Sequence, residues 1–232
     1  VGHTLWVVSD TADVAAIQQA FAGVDALYVA DGHHRTASAF RVRNNMRAEN
    51  PGHTGDEDYN HFLAVVFPDD KLAIMGYHRV VKDLAGHSPE ALLAAIGEPF
   101  DVSLCDAAPD TSPRVFGMFL NGSWYALTAR EGTFDATDPV AGLDVSILQD
   151  NLLGPLLKVG DPRTDTRIGF VGGIRGTGEL ERRCNLDMAV AFAVHAVSVE
   201  QLMTIADTGA IMPPKSTWFE PKLRSGLVTK TF

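Results

Sequence analysis

A chain of 232 residues has room for one large domain or two small ones, and a hydrophobic content of 46% is ample for a core. The formal net charge of −10 argues against duplex nucleic acid as a partner, because such binding needs a basic footprint, yet it leaves room for a small anionic ligand in a locally basic pocket. No apolar run approaches the roughly 20 residues of a membrane-spanning helix, and Cys105 and Cys184, far apart and outside any metal or redox spacing, read as free thiols of a cytoplasmic protein.

Leu5 to Val8 reads as a strand, and Asp10 or Thr11 caps a helix from Ala12 to Phe21, with Val14, Ile17 and Phe21 at helical spacing. Ala26 to Ala30 is a short apolar run and reads as a buried strand. Asp31-Gly32 breaks it, and Thr36 to Glu49 reads as a helix with Ala39, Val42 and Met46 on one face and Arg43 and Arg47 on another. Asn50 to Asn60 reads as a mobile polar loop. Its carboxylates Asp56, Glu57 and Asp58 are a weak option for a divalent cation, solvation being the default. Phe62 to Phe67 and Leu72 to Val81 read as a hairpin turning at Pro68-Asp69-Asp70. Alternation on the return strand turns His78 away from the face of Tyr77 and Arg79, and Arg79 is read as a ligand contact or an edge position.

Ser88-Pro89-Glu90 starts a helix that runs to about Ile96. Strands follow at Asp101–Leu104, Val115–Leu120 and Trp124–Leu127, the last two joined by Asn121-Gly122, a strong hairpin signal. Val145 to Leu157 reads as a helix that Pro155 bends or ends. A strand at Ile168–Val171, a short helix at Gly178–Asn185, a strand at Ala189–Val194 and a helix over Val199–Asp207 capped by Ser198 complete the series. The irregular alternation and the hairpins predict an α+β fold, with a mixed and antiparallel sheet flanked by helices, over a doubly wound parallel one. We read residues 1–232 as one α+β region, with a subdivision into a motif-bearing lobe, 1–98, and a second lobe, 99–232.

Two stretches carry chemistry. Asp31-Gly32-His33-His34-Arg35 places a carboxylate, two imidazoles and a guanidinium at a Gly turn into a helix N-terminus, whose amide N–H groups and dipole favour an anion. The plainer alternative is an Asp-Gly turn with Asp31 as N-cap and exposed histidines. Near the other end, Pro213, Pro214 and Pro221 stiffen a loop holding Lys215, Ser216, Thr217 and Lys222, two ammonium groups and two hydroxyls suited to a polyanion. Its alternative is a packing loop anchored by Trp218 and Phe219. Gly172-Gly173-Ile174-Arg175-Gly176-Thr177-Gly178 is a weaker phosphate signal, short of the full dinucleotide fingerprint.

The Ala30–Arg35 stretch, together with Met212–Lys222, resembles a large prokaryotic family of unknown function, domain-of-unknown-function family 1015, over essentially the whole chain. Members of that family normally carry a further charged segment upstream, so a chain beginning Val1-Gly2-His3 is expected to be the C-terminal portion of a longer protein. More distantly, Gly32 to Ala39 resembles the Gly-x-x-Arg helix start of ParB partition proteins, sulfiredoxin and an ADP-dependent free-serine kinase. That resemblance implies a ParB/sulfiredoxin-like strand–turn–helix at which nucleotide phosphates are met. His33 stands where sulfiredoxin has its catalytic Cys, so sulfiredoxin chemistry is not implied.

The implied function is a nucleotide-dependent phosphotransferase. Asp31, His33 and His34 would be catalytic, and Gly32, His34, Arg35, Lys215, Ser216, Thr217 and Lys222 would hold phosphate, with a nucleotide and magnesium as cofactors. Lys215 or Lys222 is then expected across one pocket from His34 and Arg35. The alternative is a nucleotide-binding regulatory module without catalysis. A metal hydrolase ranks last, because the side chains of adjacent His33 and His34 diverge and rarely chelate one ion, so no metal-ligand set is assigned.

Overall fold

The computed structural model describes residues 2–224 and 226–231; Val1, with which the expectation about the chain's start begins, lies outside them. The chain divides into two compact units, Val1–Asn60 and His61–Phe232.

The first unit is built from α1 (Thr11–Phe21) and α2 (His33–Glu49). Asp10 caps α1, its Oδ1 accepting from the N–H groups of Ala12 and Asp13 at 2.9 and 3.1 Å. The loop after α2 is organised by one carboxylate. Glu57 accepts from the backbone of Thr54 at 2.7 Å and Gly55 at 3.0 Å and from Asn60 Nδ2 at 3.0 Å. Those amides, the Thr54 N–H foremost, hold the Glu57 carboxyl down at about 2. Glu57 is thus the loop's internal acceptor rather than an open cation ligand. Leu5–Val8 and Ala26–Ala30, expected as strands, are irregular, and no strand occurs among the described residues of this unit. Leu27 is 60% exposed and Val29 38%. An apolar β-prone run becomes a strand only when a neighbour takes its backbone hydrogen bonds, and the described elements of this unit are helical.

The second unit carries a six-stranded antiparallel sheet in the order β3-β5-β4-β7-β2-β6. Its strands are β2 (Tyr77–Val81), β3 (Phe100–Cys105), β4 (Val115–Leu120), β5 (Ser123–Ala129), β6 (Ile168–Gly172) and β7 (Val190–Ala193). The α+β class with antiparallel pairing is as expected. Alternation splits the core between the two faces. Val81, Phe116, Met118, Leu120, Val190 and Phe192 belong to the larger cluster. It is covered by α3 (Pro89–Ile96), α4 (Asp144–Leu148) and α6 (Val199–Asp207), through Leu92, Ile96, Val145, Leu148 and Ile205. Val80, Phe119, Val171 and Ala191 meet α5 (Thr177–Leu186) through Leu180 on the other face.

Several local signals act as expected. Ser88 and Ser198 cap α3 and α6, the second as a full capping box with Gln201. Asn121 and Gly122 take φ of 49° and 80°, the left-handed pair that a two-residue β4–β5 turn requires. The expected single helix from Val145 to Leu157 is interrupted. α4 gives way to a π-turn over Gln149–Leu153, closed by Gly154 N–H donating to Gln149 O at 2.8 Å. Asn151 takes part, its Nδ2 donating to the carbonyls of Ile147 and Thr133, both at 3.0 Å.

The expected hairpin of Phe62–Phe67 with Leu72–Val81 does not form. The chain breaks at Gly76 into β1 (Ala73–Met75) and β2, and β1 pairs instead with β8 (Trp218–Glu220) in a separate two-stranded sheet. No helix among the described residues is long and apolar enough to cross a membrane.

Candidate functional site

In the first unit the Asp31–Arg35 turn is a glycine-made helix start. Gly32 has φ of 87° and serves as the N-cap of α2 with no side-chain cap. Only glycine holds that conformation without cost. Asp31 does not cap the helix: its Oδ1 accepts the Gly32 N–H at 2.8 Å. The first intrahelical bond is Thr36 N–H to Gly32 O at 3.0 Å, so the amides of His33, His34 and Arg35 lie before the ladder begins. Arg35 curls back over the turn. A Cβ placed on Gly32 would sit 3.1 Å from its Nη2 and 3.3 Å from its Nε. Asp31, His33, His34 and Arg35 are exposed. The structure thus sets the Arg35 guanidinium over the start of a 17-residue helix whose first amides precede its ladder, with His33 and His34 exposed on its first turn.

In the second unit, Met212–Lys222 forms the loop into and out of β8. Ser216 is buried, its hydroxyl donating to Pro213 O at 2.6 Å, so it braces the loop from within. Thr217 is half-buried. Lys215, at φ of 59°, sets its Nζ 5.6 Å from the Tyr77 ring centroid. Lys222 sets its Nζ 5.0 Å from that of Trp218. The two rings pack edge-to-face at 5.3 Å, so both ammonium groups stand on one aromatic pair. The side chain of Phe219 is buried, and Trp218 Nε1 donates to Glu220 Oε1 at 2.9 Å. The loop is both anchored through Trp218 and Phe219 and cationic at its surface.

Beneath Tyr77 the chain does something sequence reasoning missed. Arg79 is neither at an edge nor on the surface: it is 4% exposed, in a strand with neighbours on both sides. Its guanidinium donates to the Tyr77 carbonyl and lies 5.5 Å from the Phe170 ring. Burial lowers it to about 10, so it keeps its charge at neutral pH, and no carboxylate pairs with it among the described residues. The alternation that set Tyr77 and Arg79 on one face was the available signal; burial of β2 between β6 and β7 was not readable from β2 alone. His78 points the other way, and its Nδ1 accepts the Val194 N–H at 3.2 Å.

Elsewhere, Cys105 and Cys184 are free, and burial pushes the Cys184 thiol up to about 11, which disfavours the thiolate at neutral pH. No group of three His, Cys, Asp or Glu side chains able to hold a metal ion occurs among the described residues.

A family model described as "Protein of unknown function (DUF1015)" matches residues 1–146, well over half of the chain. The chain belongs to the DUF1015 family. The match includes the Asp31–Arg35 turn and stops before the Met212–Lys222 loop. No curated protein matches this DUF1015 member. Among solved structures it is similar to a free serine kinase variant in complex with AMP, at 14% identity over 85% of this chain and 69% of that one, with a TM-score of 0.46. A conserved hypothetical protein from Pyrococcus furiosus is 12% identical over 85% and 71%, with a TM-score of 0.45. A free serine kinase variant in complex with ADP is 12% identical over 91% and 81%, with a TM-score of 0.44.

Proposed function

We propose that this DUF1015 member binds a nucleotide, or another phosphorylated small molecule, at the Asp31–Arg35 turn and transfers a phosphoryl group, in chemistry related to that of free-serine kinase. The observation that carries the reading is the left-handed Gly32 start of α2, with the Arg35 guanidinium folded over it and three amides ahead of the helical ladder. Phosphoryl transfer asks a protein mainly for positioning and charge neutralisation. Gly32, His34 and Arg35 hold phosphate oxygens, His33 or His34 supplies a proton or hydrogen bond, and Asp31 orients a hydroxyl. On the second unit's loop, taken by itself, Lys215, Thr217 and Lys222 offer hydrogen-bond donors suited to a phosphate; Ser216, whose hydroxyl proton is held by Pro213 O, contributes by shaping that loop. Magnesium is ordinarily held by one or two carboxylates together with the phosphates. Asp31 is the carboxylate the turn offers for it, and the ion would supply charge neutralisation.

One observation favours a second reading, a nucleotide-binding regulatory module without turnover. Asp31 braces the turn by accepting the Gly32 N–H on Oδ1, a structural use that binding without turnover also needs. Equilibrium binding of ATP, ADP and CTP to the chain, followed by product analysis with hydroxyl acceptors, separates the two: turnover supports the first, binding alone the second. Arg35→Ala is expected to weaken nucleotide binding about tenfold to a hundredfold, since hydrogen bonds to charged groups are worth about 1.5–3 kcal/mol. Its melting temperature should stay near that of the parent, because Arg35 is exposed. Unchanged affinity removes the turn from the site and both readings with it.

A further inference from the structure

A cleft of about 360 Å³ in the second unit is lined by Phe170, Val171 and Gly172 of β6, by Arg175, Arg182 and Arg183, and by Glu179 and Trp218. That is the size range of small-molecule sites, about 300–1,000 Å³. It follows β6, the last strand of the sheet, with α5 on one side and Trp218 on the other. The Trp218 ring lies so close to Gly172 that no Cβ fits there, which makes the indole a fixed wall.

The charges of this cleft are placed rather than scattered. Glu179 holds Arg182 side-on, through Nε at 2.8 Å and Nη2 at 2.7 Å. Asp187 holds Arg183 the same way, through Nε at 2.7 Å and Nη2 at 2.9 Å. Each pair fixes its guanidinium and leaves Nη1 with no hydrogen bond among the described residues. Arg175 makes no hydrogen bond or ion pair among them at all. Arg79, opposite Phe170 in the β2–β6 register, lies on the sheet face away from α5 and is not part of the cleft's lining. A cationic cleft in a chain of net charge −10 is placed against the overall field.

We propose that this cleft is a phosphate-class oxyanion site, separate from the Asp31–Arg35 turn and independent of the reading drawn from it. Arg175 supplies an exposed contact, and Arg182 and Arg183 supply two oriented N–H edges. Three guanidinium groups on one cleft fit a diphosphate better than a single phosphate, because guanidinium and phosphate pair bidentately.

The test titrates pyrophosphate, and orthophosphate in parallel, into the whole chain while following tryptophan fluorescence. Pyrophosphate is expected to change the emission and to bind more tightly than orthophosphate. The signal should vanish in Trp218→Phe, while calorimetry on that variant still detects binding. Arg175→Ala should weaken pyrophosphate binding at least about tenfold, the loss of one charge-assisted contact. Arg175→Glu should abolish the Trp218 response, while Arg35→Ala leaves that response in place. Arg175 is exposed, so its replacement leaves folding intact, as a melting curve checks. Absence of pyrophosphate binding overturns the proposal, as does unchanged affinity in Arg175→Ala. Loss in Arg35→Ala with retention in Arg175→Ala assigns the anion to the turn and overturns the cleft alone.

Discussion

Gly76→Ala is expected to lower folding stability by about 3 kcal/mol, the upper end for inserting a methyl group into a site that has no space for it. Gly76 lies between β1 and β2, where the chain leaves the two-stranded sheet for the six-stranded one. A Cβ there would drive into the carbonyl oxygen of Val194, closer than real Cβ atoms approach, and would meet His78 Cε1 at 3.2 Å. Backbone is the obstacle, so no side-chain rotation relieves it. The far side is equally tight. Gly173 N–H donates to Gly76 O at 2.8 Å, and a Cβ on Gly173 would lie 2.7 Å from that same oxygen. Three backbone segments therefore converge at one corner. Urea unfolding of the parent and the variant measures the loss; a difference under about 0.5 kcal/mol, the range of ordinary surface changes, refutes this account of the corner.

The same corner is expected to make stability depend on pH. His78 is buried, and burial first, with the Arg79 charge second, lowers it from 6.5 to about 4. The unfolded chain therefore takes up a proton that the folded chain refuses. Stability through His78 is fully present above pH 6.5 and falls as pH drops toward about 4, below which both states are protonated. A shift of that size corresponds to roughly 3 kcal/mol. Protonation of Nδ1 would also remove the acceptor that Val194 N–H uses. His78→Gln, which keeps a side-chain acceptor, should flatten the stability difference between pH 7 and pH 4 by that amount. Parallel pH profiles for parent and variant would place the acid sensitivity elsewhere, in groups such as Glu57, which its loop amides hold at about 2.

What was legible in the sequence was local. Ser88 and Ser198 announced helix starts because a hydroxyl ahead of an apolar period has one common use, and Asn121-Gly122 announced a turn because few pairs accept two left-handed residues. The glycine start of α2 was legible for the same reason. Pairing was not. Leu72–Val81 reads as one strand, but the break at Gly76 depends on Val194 and Gly173, which no window around residue 76 contains. Ala26–Ala30 has strand composition without a strand's neighbours among the described residues. The cleft beside Trp218 was half-legible: Arg175 stood in a Gly-rich turn that drew notice, whereas Arg182 and Arg183 became part of it only because α5 lies against β6.

The strand order has a consequence for how this chain comes off the ribosome. β2 sits between β6 and β7, so its two partners are made only after β3, β4 and β5 have emerged. β1 waits longer still, for β8 at Trp218. The β4–β5 hairpin, closed by adjacent residues, is free to form early, with β3 able to join it as a three-stranded nucleus, while Tyr77–Val81 remains unpaired in the nascent chain. Contacts of such long sequence separation slow folding and leave a hydrophobic strand exposed meanwhile. Nascent chains stalled before Ile168 should accordingly be the ones that chaperones hold, and chains stalled after Glu220 the first to resist protease across β1 and β2 together.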